Sequence, residues 1–209
     1  MNLAEITLAS ARPEAQRVFY SGTLGLEVAG AEGMPGVRIG TGRLVFEPGS
    51  WSPQHIAFRI PSTAYADALA WLGSRVELLT GAAGGPEFAF PDWNADAMYF
   101  RDPDGNVLEL IAHHDLPEPY APPFTPGAML GVCEVGVPVD DMRAFLRWLE
   151  GRTGARRWSG DGVTFAAAGD KRGSLIVVPR GRPWHPVPGS DALAGPLGID
   201  LGDAGGQIL

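Results

Sequence analysis

With 209 residues, 45% of them hydrophobic, the chain has the length for one large domain or a domain with a further module, and ample apolar surface for a packed core. A net charge of −8 with no Lys/Arg run excludes a phosphate-binding surface, so nucleic acid is not an expected partner. The single cysteine, Cys133, excludes an intrachain disulfide and a multi-cysteine metal site and fits a reducing cytoplasm; no apolar run reaches the roughly 20 residues of a membrane span, and the N-terminus lacks signal-peptide blocks, so a soluble, unprocessed protein is expected.

In chain order, three segments share one layout: EITLAS from Glu5, HIAFRIP from His55 and EVGVPVD from Glu134. Each opens on an ionisable residue and alternates apolar positions, Ile6 and Leu8, Ile56 and Phe58, Val135 and Val137, which is the period of a strand with one buried face. Each then meets a helix-start signal, at Pro13, Ser62 and Asp140, followed by helical apolar spacing such as Met142, Phe145, Leu146 and Leu149. Short strand candidates complete each unit. They are Leu26 to Ala29, Val37 to Gly40 and Arg43 to Glu47 in the first, with Thr41-Gly42 as the tight turn. In the second they are Val76 to Leu79, Met98 to Arg101 and Val107 to His113, and in the third Ala155 to Trp158, Val163 to Ala168 and Leu175 to Val178.

The layout is therefore α+β, with βαβββ repeated three times. Residues 1–115 are expected to form one domain of two units, the Pro-rich stretch 116–127 a linker, residues 128–179 a third, partial unit, and residues 180–209 a Pro/Gly-rich tail in which Ile199 to Leu201 could open another strand. Between Met98 and His113 lies the run YFRDPDGNVLELIAH, whose Asp-Pro-Asp-Gly-Asn turn joins two apolar strands, the second carrying Glu109.

At these residues the chain resembles the vicinal oxygen chelate superfamily, which includes glyoxalase I, extradiol dioxygenases and the fosfomycin and bleomycin resistance proteins. The resemblance rests on FYSGTLGLEV at Phe19 to Val28, QHIAFRIP at Gln54 to Pro61 and, most specifically, YFRDPDGNVLELI. It implies that tandem βαβββ units curl their sheets into a cup, the glyoxalase/bleomycin resistance/dioxygenase fold, with a divalent metal inside. Strand alternation turns Glu109, Ile111 and His113 toward the cup, together with His55, Ala57 and Arg59, and with Glu5 and Thr7. The resemblance makes His55 and Glu109 metal ligands residue for residue. It places Glu5 where relatives carry a His or Gln, and a solvent-exposed or salt-bridged role for Glu5 stands beside the ligand role. A site of two carboxylates and one imidazole suits Mn, Fe, Ni or Zn and departs from the two-His, one-carboxylate set of non-haem iron oxygenases.

Glu109 and Tyr99, its expected cross-strand neighbour, are the catalytic candidates; Arg59, Trp93, Asn94, Arg101 and His113 are candidate substrate contacts, Trp93 and Asn94 from a loop above the pocket. Against these stand plainer roles: Trp93 as a packing residue, His113 as an exposed strand end, Glu47 outside the site, and Glu134 as a structural residue because the third unit lacks a matching His and Glu. The expected activity is that of a metal-dependent lyase, isomerase or dioxygenase-like enzyme chelating two neighbouring oxygens of a small oxygen-rich substrate. The alternatives are a metal-free small-molecule binding protein of the bleomycin-resistance kind and an inactive scaffold. A third unit without a partner points to a homodimer formed through it.

Overall fold

The computed structural model describes residues 1–31, 34–81, 84–193, 195, 197–202 and 206–209. The first unit comprises β1 (Glu5–Ser10), α1 (Pro13–Val18), β2 (Val28–Ala31), β3 (Met34–Ile39) and β4 (Gly42–Pro48). β1 buries every second residue, Ile6, Leu8 and Ser10, as its alternation requires. Pro13 begins α1, where a missing N–H costs nothing. The second unit has β5 (His55–Arg59), α2 (Tyr65–Gly73), β6 (Phe88–Phe90), β7 (Ala95–Arg101) and β8 (Val107–His113). No strand forms over residues 76–79: Leu79 keeps one hydrogen bond to Tyr99, and the β-prone Phe88–Phe90 takes the edge instead. The third unit has β9 (Gly131–Val139), α3 (Met142–Thr153), β10 (Arg157–Gly160), β11 (Ala166–Asp170) and β12 (Gly173–Pro179). The Asp141 side chain caps α3 by accepting from the Ala144 N–H at 2.9 Å, and Gly154 at φ 74° ends it.

Two sheets result, ordered β13-β1-β4-β3-β2 and β10-β11-β12-β9-β5-β8-β7-β6, where β13 (Leu197–Asp200) comes from the tail. The cup is thus built by the second and third units, joined where β5 pairs antiparallel with β9. The repeat pattern points instead to the first unit as the partner of the second, because no local pattern decides which first strands meet. The third unit has its partner within the chain, which removes the stated reason for a dimer through that unit.

The helices cover the outer faces of both sheets over one continuous core that includes Ile6, Phe46, Ile56, Phe58, Leu108, Leu110, Val135 and Leu175. A second apolar cluster lines the cup, among it Ala57, Tyr99, Val107, Ile111, Ile176 and Trp184. The alternation read from the sequence for β8 holds in full, with Leu108, Leu110 and Ala112 in the outer core and Val107 and Ile111 in the cup.

The turn between β7 and β8 ties the first unit to the cup. Asp102 accepts from the Asp104 and Asn106 N–H groups, from the Asn106 amide at 2.7 Å and from the Tyr20 hydroxyl at 3.0 Å, while Asn106 accepts from the Gln54 N–H just before β5. Ser10, at the end of β1, donates to Asp104. Burial dominates over these hydrogen bonds and raises the Asp102 carboxyl from 3.8 to about 6. A folded-state value above the unfolded one means that this group's contribution is fully present below 3.8 and is lost as the pH rises toward about 6. Denaturant titrations over that window are expected to show the stability of the wild type falling relative to Asp102→Asn as the pH rises. A pH-independent difference would contradict the assignment.

Candidate metal centre in the cup

One cross-strand row sets the site. Glu109 lies between Tyr99 on β7 and Ala57 on β5, and Ala57 is paired in turn with Glu134 on β9. A bulge at Cys133, where Ala57 and Phe58 pair with Glu134 and Val132, shifts the β9 register and turns Glu134 into the cup. Glu109 and Glu134 are separated only by the Ala57 methyl, so both carboxylates lean over it. His55 is one step along the same face of β5. The two strand partners of Ala57 thus bring together carboxylates that are 25 residues apart in sequence, the difference between positions 109 and 134.

The His55 Nδ1 lies 3.3 Å from the Val107 carbonyl, which can only accept, so with a cation at Nε2 the ring proton would sit on Nδ1. Its Nε2 then faces Glu109 and Glu134, each at 3.5 Å. One ligand atom from each of the three residues lies within 4.8 Å of the other two, and all three side chains are buried. A nitrogen lone pair and two carboxylates converging out of water are a donor set for a divalent cation of hard or borderline character. Burial, and then the neighbouring Glu134 charge, hold the Glu109 carboxyl well above the usual carboxylate range, and a hydrogen bond from the Tyr99 phenol partly opposes them. Burial raises the Tyr99 phenol as well, followed by the charges of Glu109 and Glu134.

Above the triad is a cavity of about 270 Å³. Its walls are mostly aromatic and come in part from the tail: Trp93, Tyr99, Phe165, Trp184 and His185 all line it, with Arg182 at its side. Trp184 anchors the tail. Its Nε1 donates to the Pro53 carbonyl at 2.9 Å, its ring lies 5.8 Å from His55, and it occupies the space over Gly136, where a Cβ would come within 2.4 Å of the indole. His185 packs edge-on against Phe88 and Tyr99, and burial lowers its imidazole below the ordinary value, with His55 and Arg182 adding to the shift.

Of the residues singled out from the sequence, His55, Glu109, Tyr99 and Trp93 meet in the cavity. Glu5 does not: it lies in the other sheet, paired with Arg43 and opposite Asp200. Arg59 turns away to Glu118 at 3.0 Å, an acid it shares with Arg172. Asn94 sits exposed at a left-handed turn with φ 48°, and Arg101 is exposed at the far end of β7. His113 is buried behind Trp93, rings stacked at 6.5 Å, outside the cavity lining. Glu134, read as structural, joins His55 and Glu109. Its signal was present in the repeat, where it opens the third unit as His55 opens the second. Arg182, Trp184 and His185 had no periodic signal to reveal them.

No protein-family model and no curated protein matches the chain. Among solved structures it is similar to a putative dioxygenase from Bacillus subtilis, with a TM-score of 0.63 and 19% identity; the match covers 87% of this chain and 65% of that one, so this chain spans under two thirds of that protein's length. A lactoylglutathione lyase from Agrobacterium tumefaciens matches 53% of this chain over 92% of its own at a TM-score of 0.44 and 18% identity. A glyoxalase/bleomycin resistance protein/dioxygenase from Nocardioides matches 58% over 89% at 0.45 and 21%.

The fit of Trp184 over Gly136 gives a direct test of the tail's place in the site. Gly136→Val is expected to displace the indole, quench or shift tryptophan emission, and speed proteolysis within residues 180–209, with a loss of stability of roughly 1–3 kcal/mol from overpacking. Unchanged emission and proteolysis would place the tail elsewhere.

Proposed function

We propose that this chain, which has the glyoxalase/bleomycin resistance/dioxygenase fold, is a divalent-metal-dependent enzyme. It acts on a small oxygen-rich substrate in the cup formed by the second and third units. The observation that carries this reading is the convergence of His55, Glu109 and Glu134 within 4.8 Å of one another in a buried site. Two buried carboxylates side by side are costly unless a cation joins them. A cation bound there would act as a Lewis acid toward two neighbouring substrate oxygens as negative charge develops on them.

The chain's own residues then have distinct parts. His55 would ligate through Nε2, with its Nδ1–H directed to the Val107 carbonyl. Glu109 and Glu134 supply the compensating charge. Tyr99, held neutral by burial and by those carboxylates, presents an O–H beside Glu109 that can donate to a substrate oxygen or pass a proton to it. Ala57 keeps the floor of the site low, and Trp184 with the aromatic walls surrounds it with apolar surface.

Elemental analysis of the purified protein tests the reading. The wild type is expected to hold close to one equivalent of Mn, Fe, Ni or Zn. Glu109→Ala, Glu134→Ala and His55→Ala should each lower the metal affinity at least ~10-fold, and Glu5→Gln should leave it unchanged. Negligible metal in wild type and variants alike, with tight ligand binding after exhaustive chelation, would instead make this a metal-free binding protein.

The pH dependence follows from Glu109. Because its carboxyl is raised, a proton competes with the metal at pH values where an ordinary carboxylate is already ionised. Metal occupancy is expected to fall on acidification before the pH reaches the ordinary carboxylate range. In the metal-free protein the sign of the stability effect is opposite: the group's contribution is full at low pH and is lost as the pH rises through the raised value. The thermal stabilisation produced by added metal should therefore grow from acid toward neutral pH, and an increment that shrinks over that range would oppose the assignment.

A further inference from the structure

The outer face of α3 carries positive charge that the rest of the molecule leaves unmet. Helical spacing sets two neighbouring ridges there, one of Arg143, Arg147 and Gly151 and one of Ala144, Trp148 and Arg152, and all of these residues are exposed. Arg143, Arg147 and Arg152, with Arg157 just beyond the helix, have no carboxylate partner among the described residues, a state shared there only by Arg75, Arg101 and Arg182. The nearby acids are already engaged. Asp140 pairs with Arg180 at 3.0 Å and Glu150 with Arg156 at 2.8 Å, the Asp141 carboxylate caps α3, and Asp161 accepts from the Val163 and Thr164 N–H groups.

Two further residues of this face serve no packing purpose within the chain. Trp148 is 43% exposed, although Phe145 holds its ring at 5.4 Å. Gly151 stands in the last turn of the helix, where alanine would be the more stable residue, and a Cβ there would meet nothing within 4 Å. Among the described residues no neighbour requires a glycine at that position. Its effect is to leave the helix backbone open to close approach from outside. Tryptophan and arginine are also the residues that most often anchor protein interfaces.

We propose that this face of α3 docks a carboxylate-rich helix of another protein. Carboxylates one turn apart on such a helix match Arg143 and Arg147, whose one-turn spacing sets their Cβ atoms about 5–6 Å apart, and each guanidinium can hold a carboxylate by two parallel hydrogen bonds. An apolar side chain of the partner covers Trp148, and the partner's backbone approaches over Ala144 and Gly151. An anionic membrane suits the surface less well. Met142 and Leu149 are buried in the core, which leaves α3 Trp148 as the one large apolar side chain on its outer face to insert. Nucleic acid suits it less well in a chain with a net charge of −8. These residues lie outside the cup lining, so the surface does not depend on the metal centre.

Fluorescence anisotropy of a fluorescein-labelled peptide of three Glu-Glu-Leu-Ala-Glu-Glu-Ala heptads, titrated with the full chain at low salt, tests the proposal. Saturable binding is expected, and a version of the peptide with Gln in place of Glu should not bind. Arg143→Glu/Arg147→Glu should weaken binding by on the order of tenfold, whereas Arg75→Glu/Arg101→Glu, the same change of net charge elsewhere, should weaken it by less than about twofold. Gly151→Leu should weaken binding while leaving the thermal midpoint unchanged or raised, because leucine is the better helix former. No saturable binding, or an equal loss in the two charge-reversed proteins, overturns the proposal. So does tighter binding to phosphatidylserine vesicles or to a single-stranded oligonucleotide, or a dimer in sedimentation velocity that Arg143→Glu/Arg147→Glu dissolves, since each puts a different occupant on α3.

Discussion

The structure turns on two carboxylates buried over one methyl group. Glu109 and Glu134 flank Ala57 across adjacent strands and are both buried at the base of the cup, an arrangement that costs several kcal/mol per charge when left uncompensated. Nearby features of the fold serve this arrangement. Ala57 is small enough for both acids to lean inward, the Cys133 bulge turns Glu134 to the correct face, and the Val107 carbonyl lies 3.3 Å from the His55 Nδ1. Gly136, two residues beyond Glu134, leaves room for Trp184 to close over His55. A larger residue at position 57 would push the two acids apart, and one at position 136 would displace Trp184 from over His55.

The Asp102 turn transmits this precision from a distance. Its hydrogen bonds reach Asn106 at the start of β8, Tyr20 in the first unit and, through Asn106, Gln54 at the start of β5. The strands that carry Glu109 and His55 are therefore pinned at one end by a single network. That network also couples the first sheet to the cup, although His55, Glu109 and Glu134 all come from the second sheet. The turn fixes the register in which β5 and β8 present their side chains.

Some of this was legible in the sequence and some was not, for identifiable reasons. The faces of β5 and β8 followed from period-two alternation, and the turn motif located Glu109 to the residue. The extent of β8 was read without error. Local signals of that kind depend on neighbours a few positions away. Which unit pairs with which depends on contacts between residues far apart, and no local pattern carries that. Choosing the first unit as the partner of the second brought Glu5 into the expected triad and left Glu134 out. The tail failed differently: Pro and Gly obscure periodicity, so its high content of both concealed a folded loop that delivers Arg182, Trp184 and His185.

The pairing also explains why this cluster of His55, Glu109 and Glu134 forms at one joint and not at the other described one. The first strands of the units obey one rule. β5 is parallel to β8 and antiparallel to β9, β9 is parallel to β12 and antiparallel to β5, and β1 is parallel to β4 and antiparallel to β13. β13 thus stands to β1 as β9 stands to β5. At that second joint the row corresponding to Glu109, Ala57 and Glu134 is Val45, Thr7 and Gly198, which offers no carboxylate. Glu5 takes the place of His55 there, and its charge is met by Arg43 on the adjoining strand. The same backbone geometry occurs twice, and the side chains along one row decide that the joint between the second and third units can hold a cation while the other closes as an ordinary ion-paired sheet.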